Sequence, residues 1–546
     1  MKKILFVLFF TGSLLHSKAQ TIGLISQTPG SLNGYVLFAP NFGNTTYLVD
    51  KCGYQVHSWT STHQPGLAAY FLEDGSLLRT GKLNNSVFNA GGSGGIIEKF
   101  DWVGNITWSY TISSTTECQH HDIRPLPNGN VLAISYELKT PAQALAAGAD
   151  PAHIGAAVWS EKILEIQPVG SNSGNVVWEW HAWDHLIQDY DSTKPNYGVV
   201  SDHPELLNIN YNLTTVADWL HCNALDYNAA LDQVILSSHN QNEFYIIDHQ
   251  TTTLQAAGHS GGAHGKGGDF LYRWGNPASY DRGFAADKKL FGQHNPHWIE
   301  NGLPGAGNIL IFNNGINRPG GNYSTVDIIA PPVDSLGNYS IVAGQAYLPT
   351  AAYWSYQAPV PTSFYAMNIS GAQRLSNGNT LVCSGPNGNF FEIDSAMNMV
   401  WKYVSPVGQA GAILSQGATP AQNSVFRCTL YEPAYAGFTG LTLTSGSPIE
   451  LNPLPYTCSM ITGINEPGTF SDPALQAYPN PFTSYLHVPS LKENETVELR
   501  NCFGQLIYSG TTIKSRDFSY LADGIYFLQI ISGQRNRTIK LIHQPN

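Results

Sequence analysis

The sequence predicts an all-β protein: a six-bladed β-propeller followed by a small β-sandwich. Three observations predict it. A turn followed by an alternating strand recurs between residues 33 and 435. An apolar strand ending in an acid, a turn and a Trp-bearing strand recurs in phase with it. The composition then shifts after Pro467.

The first half-repeat stands at Asp74-Gly75-Ser76-Leu77, Asn128-Gly129-Asn130-Val131, Gly307-Asn308-Ile309-Leu310 and Asn377-Gly378-Asn379-Thr380. Asp-Gly and Asn-Gly supply the positive φ that tight hairpin turns require. The second half-repeat ends on Trp59, Trp108, Trp178, Trp274 and Trp401. Each repeat reads as a small antiparallel sheet that cannot bury both faces alone, and radial stacking solves that problem. About six units fit the pattern, with Ser424 to Leu430 as the closing strand of the ring. A simple sandwich does not explain repetition at this spacing. Two insertions, His181 to Asp218 and Leu254 to Phe291, interrupt the repeats and are expected to decorate one face. Trp183, Tyr190, Phe270 and Tyr272 within them are candidates to roof a site.

Composition agrees. The chain has 53 Gly and 32 Pro, and 12% of its residues are charged, against about 25% in ordinary domains. Short strands joined by tight turns follow, without a long amphipathic helix. A net charge of -12 without cationic clusters argues against nucleic acid, whose binding needs clustered Lys and Arg. Lys2, Lys3 and the apolar run Ile4 to Leu15 before Ala19 read as an export signal over residues 1–19. The run is too short to span a bilayer, which takes about 20 residues, so the mature chain is expected to be soluble and outside the cytoplasm. Seven scattered cysteines without a C-x-x-C pair suggest one or two disulfides of open connectivity. The expected domains are a propeller over 20–460, a linker over 461–470 and a C-terminal domain over 471–546.

The C-terminal segment contains Tyr478-Pro479-Asn480-Pro481-Phe482 and Asp523-Gly524-Ile525-Tyr526-Phe527-Leu528. It resembles the type A sorting domain of the type IX secretion system. The resemblance implies an Ig-like β-sandwich of about seven strands. It also implies engagement of the type IX machinery, passage across an outer membrane, and surface attachment or release.

Histidines recur at one phase of the repeats. His121, His221 and His294 each precede or begin the first strand of a unit. In a propeller the first strands line the axis, so three imidazoles distant in sequence are expected to converge. Such a cluster supports a nucleophile toward sulfur or phosphorus, an acid–base pair, or a metal site. His297 competes with His294 for the nucleophilic place. His181 and His185 have i, i+4 spacing but lack further ligands, and a structural role is favoured. His259 and His264 lie in a Gly-rich loop without the Lys-Ser/Thr ending of a phosphate loop.

Residues 34 to about 435 resemble the arylsulfate sulfotransferases, exported propeller enzymes that use no nucleotide sulfate donor. The resemblance rests on Gln119-His120-His121-Asp122-Ile123, Asp218-Trp219-Leu220-His221-Cys222-Asn223, Ser237-Ser238-His239-Asn240-Gln241, Gly292-Gln293-His294 and Ile309-Leu310-Ile311-Phe312-Asn313-Asn314-Gly315. It implies that His294 takes the sulfuryl group from a phenolic sulfate as a sulfohistidine and passes it to a phenol. It also implies that His121, His221 and Asn223 bind sulfuryl oxygens and that the histidines exchange protons with the phenolic oxygens. His239 stands where the family has an arginine, and is expected to bind substrate when protonated. Thr362, Ser363 and Gln373 loosely match a family lysine/threonine pair. No metal, nucleotide or other cofactor is called for. Two rival functions remain. One is a metal-dependent oxygenase or lyase, with Asp122 as the sole nearby carboxylate for a facial triad. The other is a non-catalytic surface binding propeller.

Overall fold

A computed structural model describes residues 20–455, 458, 477–488, 491, 495–501, 505–532 and 535–544. The expected export signal, the linker 461–470 and Cys502 lie outside these residues. Among the described residues no helix is long and apolar enough to cross a membrane. The chain divides between residues 460 and 461 into two compact units.

Among the described residues the first unit is all-β, built of antiparallel sheets and one two-stranded parallel pair, with a few short helical turns. Six of its sheets have four strands in meander order, one of them with an added edge strand. Their first strands are Pro65–Phe71, Glu117–Pro125, Cys222–Asn228, His294–Trp298, Gly371–Arg374 and Val425–Tyr431. The last of these pairs with Tyr35–Pro40, placing Tyr431 opposite Tyr35 and Cys428 opposite Phe38. One sheet is thereby closed by strands nearly 400 residues apart in the chain, as the repeat had suggested. The first strands also touch in a series that returns to its start, from Pro65–Phe71 round to Val425–Tyr431 and back. The edge strand Gly23–Gln27 joins Met399–Val404. Cys52 and Cys458 form a disulfide, while Cys118, Cys222, Cys383 and Cys428 are free and buried.

The two half-repeats have separate physical causes. Gly75, Gly129 and Gly378 hold φ of 80°, 85° and 86°, the left-handed turn geometry that lets the chain reverse between first and second strands. The tryptophans join one sheet to the next. Trp59 donates its indole N–H to Asp101 O, Trp108 to Ser173 O, Trp178 to Thr251 Oγ1, Trp274 to Pro349 O and Trp401 to Lys51 O. Each ring fills the space between adjacent sheets, and each bond adds about 1 kcal/mol.

The second insertion corrects one expectation. It returns to the sheet as the outer strand Phe270–Trp274. Phe270 stacks on Tyr245 at 4.1 Å and Tyr272 packs against Tyr339 and Tyr347, with both side chains fully buried. They are packing residues between sheets and roof nothing.

The described part of the second unit is a four-stranded antiparallel sheet in the order Leu506–Gly510, Thr496–Asn501, Gly524–Ser532, Arg535–His543. Its core holds Phe482, Leu499, Phe518 and Leu528.

Candidate functional site

The start of each histidine-bearing first strand is irregular. His121 lies in a register shift between the pairs Ser135–Gln119 and Ala133–Ile123, His221 borders one at Cys222, and His294 opens one that ends at His297. His121 and His221 hold φ of 49° and 48°, as does Asn295 at 54° beside His294. Left-handed non-glycine residues in bulges re-aim side chains out of the regular alternation. Here they turn three imidazoles toward one another. His121 and His221 stand 4.7 Å apart by ring centroid, His221 and His239 5.4 Å, and His239 and His294 5.7 Å. His121 and His294 are buried, whereas His221 and His239 are partly exposed. The convergence expected from the repeat phase is therefore present, and His239 belongs to it.

His294 has a fixed tautomer. Asn314 donates through Nδ2 to Ala366 O (2.8 Å) and Ile369 O (3.0 Å), so its Oδ1 is an acceptor. His294 Nδ1 lies 2.9 Å from that oxygen and 3.2 Å from Gly292 O. Two acceptors place the proton on Nδ1 and leave a lone pair on Nε2, where the Ile369 N–H makes a long contact of 3.2 Å. Burial, with His239 adding to it, holds the His294 pKa well below the ordinary histidine value. The result is a neutral imidazole whose nucleophilic Nε2 is engaged only by the weak hydrogen bond from the Ile369 N–H.

The neighbouring histidines are tuned apart. His121 is also driven well below its ordinary value, by burial and by the adjoining His221. Burial opposes charge on His221 too, but the Asp218 carboxylate, 2.5 Å from Nδ1, outweighs it and raises the pKa. His239 Nδ1 is 2.9 Å from Asn240 Oδ1, yet burial and His221 lower its pKa. Both act against a charge at the place where the resemblance expects the family arginine. Asn223 Nδ2 donates to Gln293 O at 2.7 Å, while its buried Oδ1 has no partner among the described residues.

Other candidates fall elsewhere. His297 donates to Asn295 O and, with Tyr70, Arg124, Asp226 and Arg427, lines a cavity of about 1350 Å³ to which none of the three clustered histidines contributes. Asp122 is spent on Arg427 (2.7 Å), Tyr70 OH and the backbone N–H of Leu225, so it does not complete a triad with the histidines. Arg427 acts electrostatically on both His294 and His297. Thr362 and Ser363 are exposed, and Gln373 is bonded at both ends to the backbone of Leu430. His185 and His259 both bond Asp269 Oδ1, at 2.7 and 2.8 Å, and His185 Nε2 reaches Ala256 O. These are hydrogen-bond spacings that tie the second insertion to the first.

The sequence alone missed several contributors. The Gly92 carbonyl oxygen accepts the His121 N–H at 2.8 Å, and a Cβ built on Gly92 would lie 2.0 Å from His121 Cε1. Asp218, His120 and Asn314 stood inside the quoted segments, but only their partners reveal their roles. Glu161 and Arg427 carried no sequence signal.

Comparison with known proteins bears on this site. An arylsulfotransferase family model matches residues 41–414, and a secretion system C-terminal sorting domain model matches residues 476–544. The second match indicates export through the type IX machinery to a cell-surface or secreted location. No curated protein matches the chain. Among solved structures, a protein of unknown function from Bacteroides caccae is 10% identical with a TM-score of 0.39, covering 73% of this chain and 99% of its own. A streptogramin B lyase is 10% identical with a TM-score of 0.33 over 77% and 96%. AztD from Citrobacter koseri, in its apo form, is 9% identical with a TM-score of 0.31 over 73% and 98%. At such identities and scores these likenesses assign no activity.

Proposed function

The chain belongs to the arylsulfotransferase family, and on that footing we propose that it moves a sulfuryl group from a phenolic sulfate ester to a phenol through a sulfohistidine on His294, without a nucleotide donor. The observation that carries the reading is the Nε2 lone pair of His294, fixed by Asn314 and Gly292 in a cluster of four imidazoles. In the first step Nε2 attacks sulfur, the ester S–O bond breaks, and the departing phenolic oxygen takes a proton. In the second, an acceptor phenol loses its proton and attacks the same sulfur, breaking the N–S bond and restoring His294. Charge on the three equatorial oxygens is met by donors. His221, whose pKa is raised by Asp218, supplies a cation to the sulfuryl oxygens, and His121, held neutral, exchanges the proton with the phenolic oxygens. Asn223 and His239 line the sulfuryl site, and Arg427 adds positive charge from the neighbouring layer.

In this reading the six sheets are the blades of a six-bladed propeller over residues 20–460, and the C-terminal unit over 471–546 is an Ig-like sandwich recognised during export. The test is release of the phenol from a chromogenic aryl sulfate by the mature protein, with and without a second phenol. Acceptor-dependent release, abolished in His294→Ala, is expected. Release that is independent of acceptor and survives the substitution contradicts the reading.

A further inference from the structure

Behind His121 stands a row of buried groups that sulfuryl transfer, as set out above, does not use. His121 Nδ1 is 2.8 Å from His120 Nδ1, and His120 Nε2 is 2.7 Å from Glu161 Oε2. Glu161 Oε1 accepts the Cys222 N–H at 2.9 Å. His120 and Glu161 are fully buried, and His120 lies flat on Tyr136 with ring centroids 3.6 Å apart.

Two ring nitrogens that face each other share one proton, so the tautomers of His120 and His121 are locked together. When Glu161 is ionised, the protons sit on His120 Nε2 and His121 Nδ1, and His121 Nε2 carries a lone pair. When Glu161 is protonated, its O–H donates to His120 Nε2, His120 Nδ1–H donates to His121 Nδ1, and His121 Nε2 carries the N–H. From this geometry we infer that Glu161 and His120 are positioning residues of a proton relay, through which His121 accepts and returns the phenolic proton while both imidazoles stay neutral.

The inference rests on the sulfuryl-transfer reading, and its steps balance. The acceptor O–H proton moves to His121 Nε2, the Nδ1 proton of His121 moves to His120 Nδ1, and the Nε2 proton of His120 moves to Glu161 Oε2. One proton has passed from phenol to carboxylate, and the phenolic oxygen keeps the electron pair with which it attacks sulfur. The reverse passage protonates the departing phenol in the first half-reaction. His221, His239 and His294 face His121, while Asp218, His221, Tyr136 and Cys222 face Glu161 and His120. Burial, with Asp218 adding to it, pushes the Glu161 carboxyl well above the usual range. Burial, with His221 adding to it, holds His120 at about 3. A stored proton therefore resides on the carboxyl, and a buried imidazolium is avoided.

Glu161→Gln tests this. Its amide keeps an oxygen for Cys222 N–H and donates to His120 Nε2, freezing the arrangement in which His121 Nε2 is protonated. Rates of the second half-reaction alone, discharge of the sulfuryl-loaded protein by acceptor, are compared over acceptors running from unsubstituted phenol to phenols already ionised at the assay pH. The expected loss is about 10²-fold or more for phenol, shrinking as the acceptor becomes more acidic. An equal loss across the series marks a merely structural role and overturns the relay. Imidazole nitrogen NMR of the resting protein gives a readout that needs no turnover. With pH, His121 of the unsubstituted protein should exchange Nδ1–H for Nε2–H without passing through an imidazolium, and Glu161→Gln should abolish the exchange. Titration of His121 to the doubly protonated form overturns the relay, even if the variant does not fold. Absence of any sulfuryl transfer by the unsubstituted protein overturns the functional reading instead.

Discussion

Replacing Gly92 by alanine should disable the site without touching a histidine. The Cβ added at Gly92 would lie 2.0 Å from His121 Cε1 and 2.2 Å from both ring nitrogens. Ordinary contact is about 3.5–4 Å, so the ring must withdraw by about 1.5 Å or the loop must move. Gly92 also holds φ of 80°, which costs a residue with a Cβ about 1–2 kcal/mol. The neighbouring chain offers little slack, because the Gly92 carbonyl accepts the His121 N–H. Displacement of a reacting group by about 1 Å costs about 10² in rate, so kcat/KM for transfer should fall at least 10²-fold, or about 2.7 kcal/mol. Unfolding stability should fall by no more than about 3 kcal/mol. The assay pairs steady-state transfer from a chromogenic aryl sulfate with thermal unfolding of the same preparation. A folded Gly92→Ala protein with undiminished kcat/KM would refute the placement of His121 beside the reacting oxygen.

Asp218→Asn should lower the pKa of His221, because the carboxylate that raises it is gone. A step needing protonated His221 is full below that pKa and lost above it, so the alkaline limb of the pH–rate profile should move down by about one pH unit or more; a limb that stays in place contradicts a cationic His221 in the site. His249 lies between Asp232 (2.6 Å) and Glu165 (3.0 Å), contributed by adjacent sheets. Burial opposes its charge, but the two carboxylates raise its pKa to about 9. The folded value exceeds the unfolded one, so this stabilisation, at most about 3 kcal/mol, is complete below about pH 6.5 and lost as pH rises through 9. Thermal unfolding should weaken across that window, and His249→Gln should remove that component of the pH dependence.

The architecture was legible because the repeat is written in residues with few alternatives. Asp-Gly and Asn-Gly mark turns that need positive φ, and each phased Trp is a donor to the next sheet. The histidine phase was legible for the same reason: equivalent positions in equivalent sheets meet. The supporting groups were not. Asn314 fixes His294 from twenty residues away, through a loop held by Ala366 and Ile369. Glu161 reaches His120 from two strands away in the same sheet, across the strand bearing Tyr136, and Gly92 acts by lacking a side chain. Phe270 and Tyr272 misled because aromatics in an insertion resemble a lid until the strand they form is seen. His239 was placed in the site by its sequence context, but the lowering of its pKa follows from burial beside His221, which spacing does not encode.

The central claim is a covalent bond between sulfur and His294 Nε2. Rapid mixing of the mature protein with a sulfur-labelled aryl sulfate in the absence of acceptor, followed by an alkaline quench and peptide mapping, tests it most directly. Close to one label per chain is expected on the peptide bearing His294, discharged by added phenol and absent from His294→Asn. Label on another residue, or turnover without any labelled protein, would contradict it.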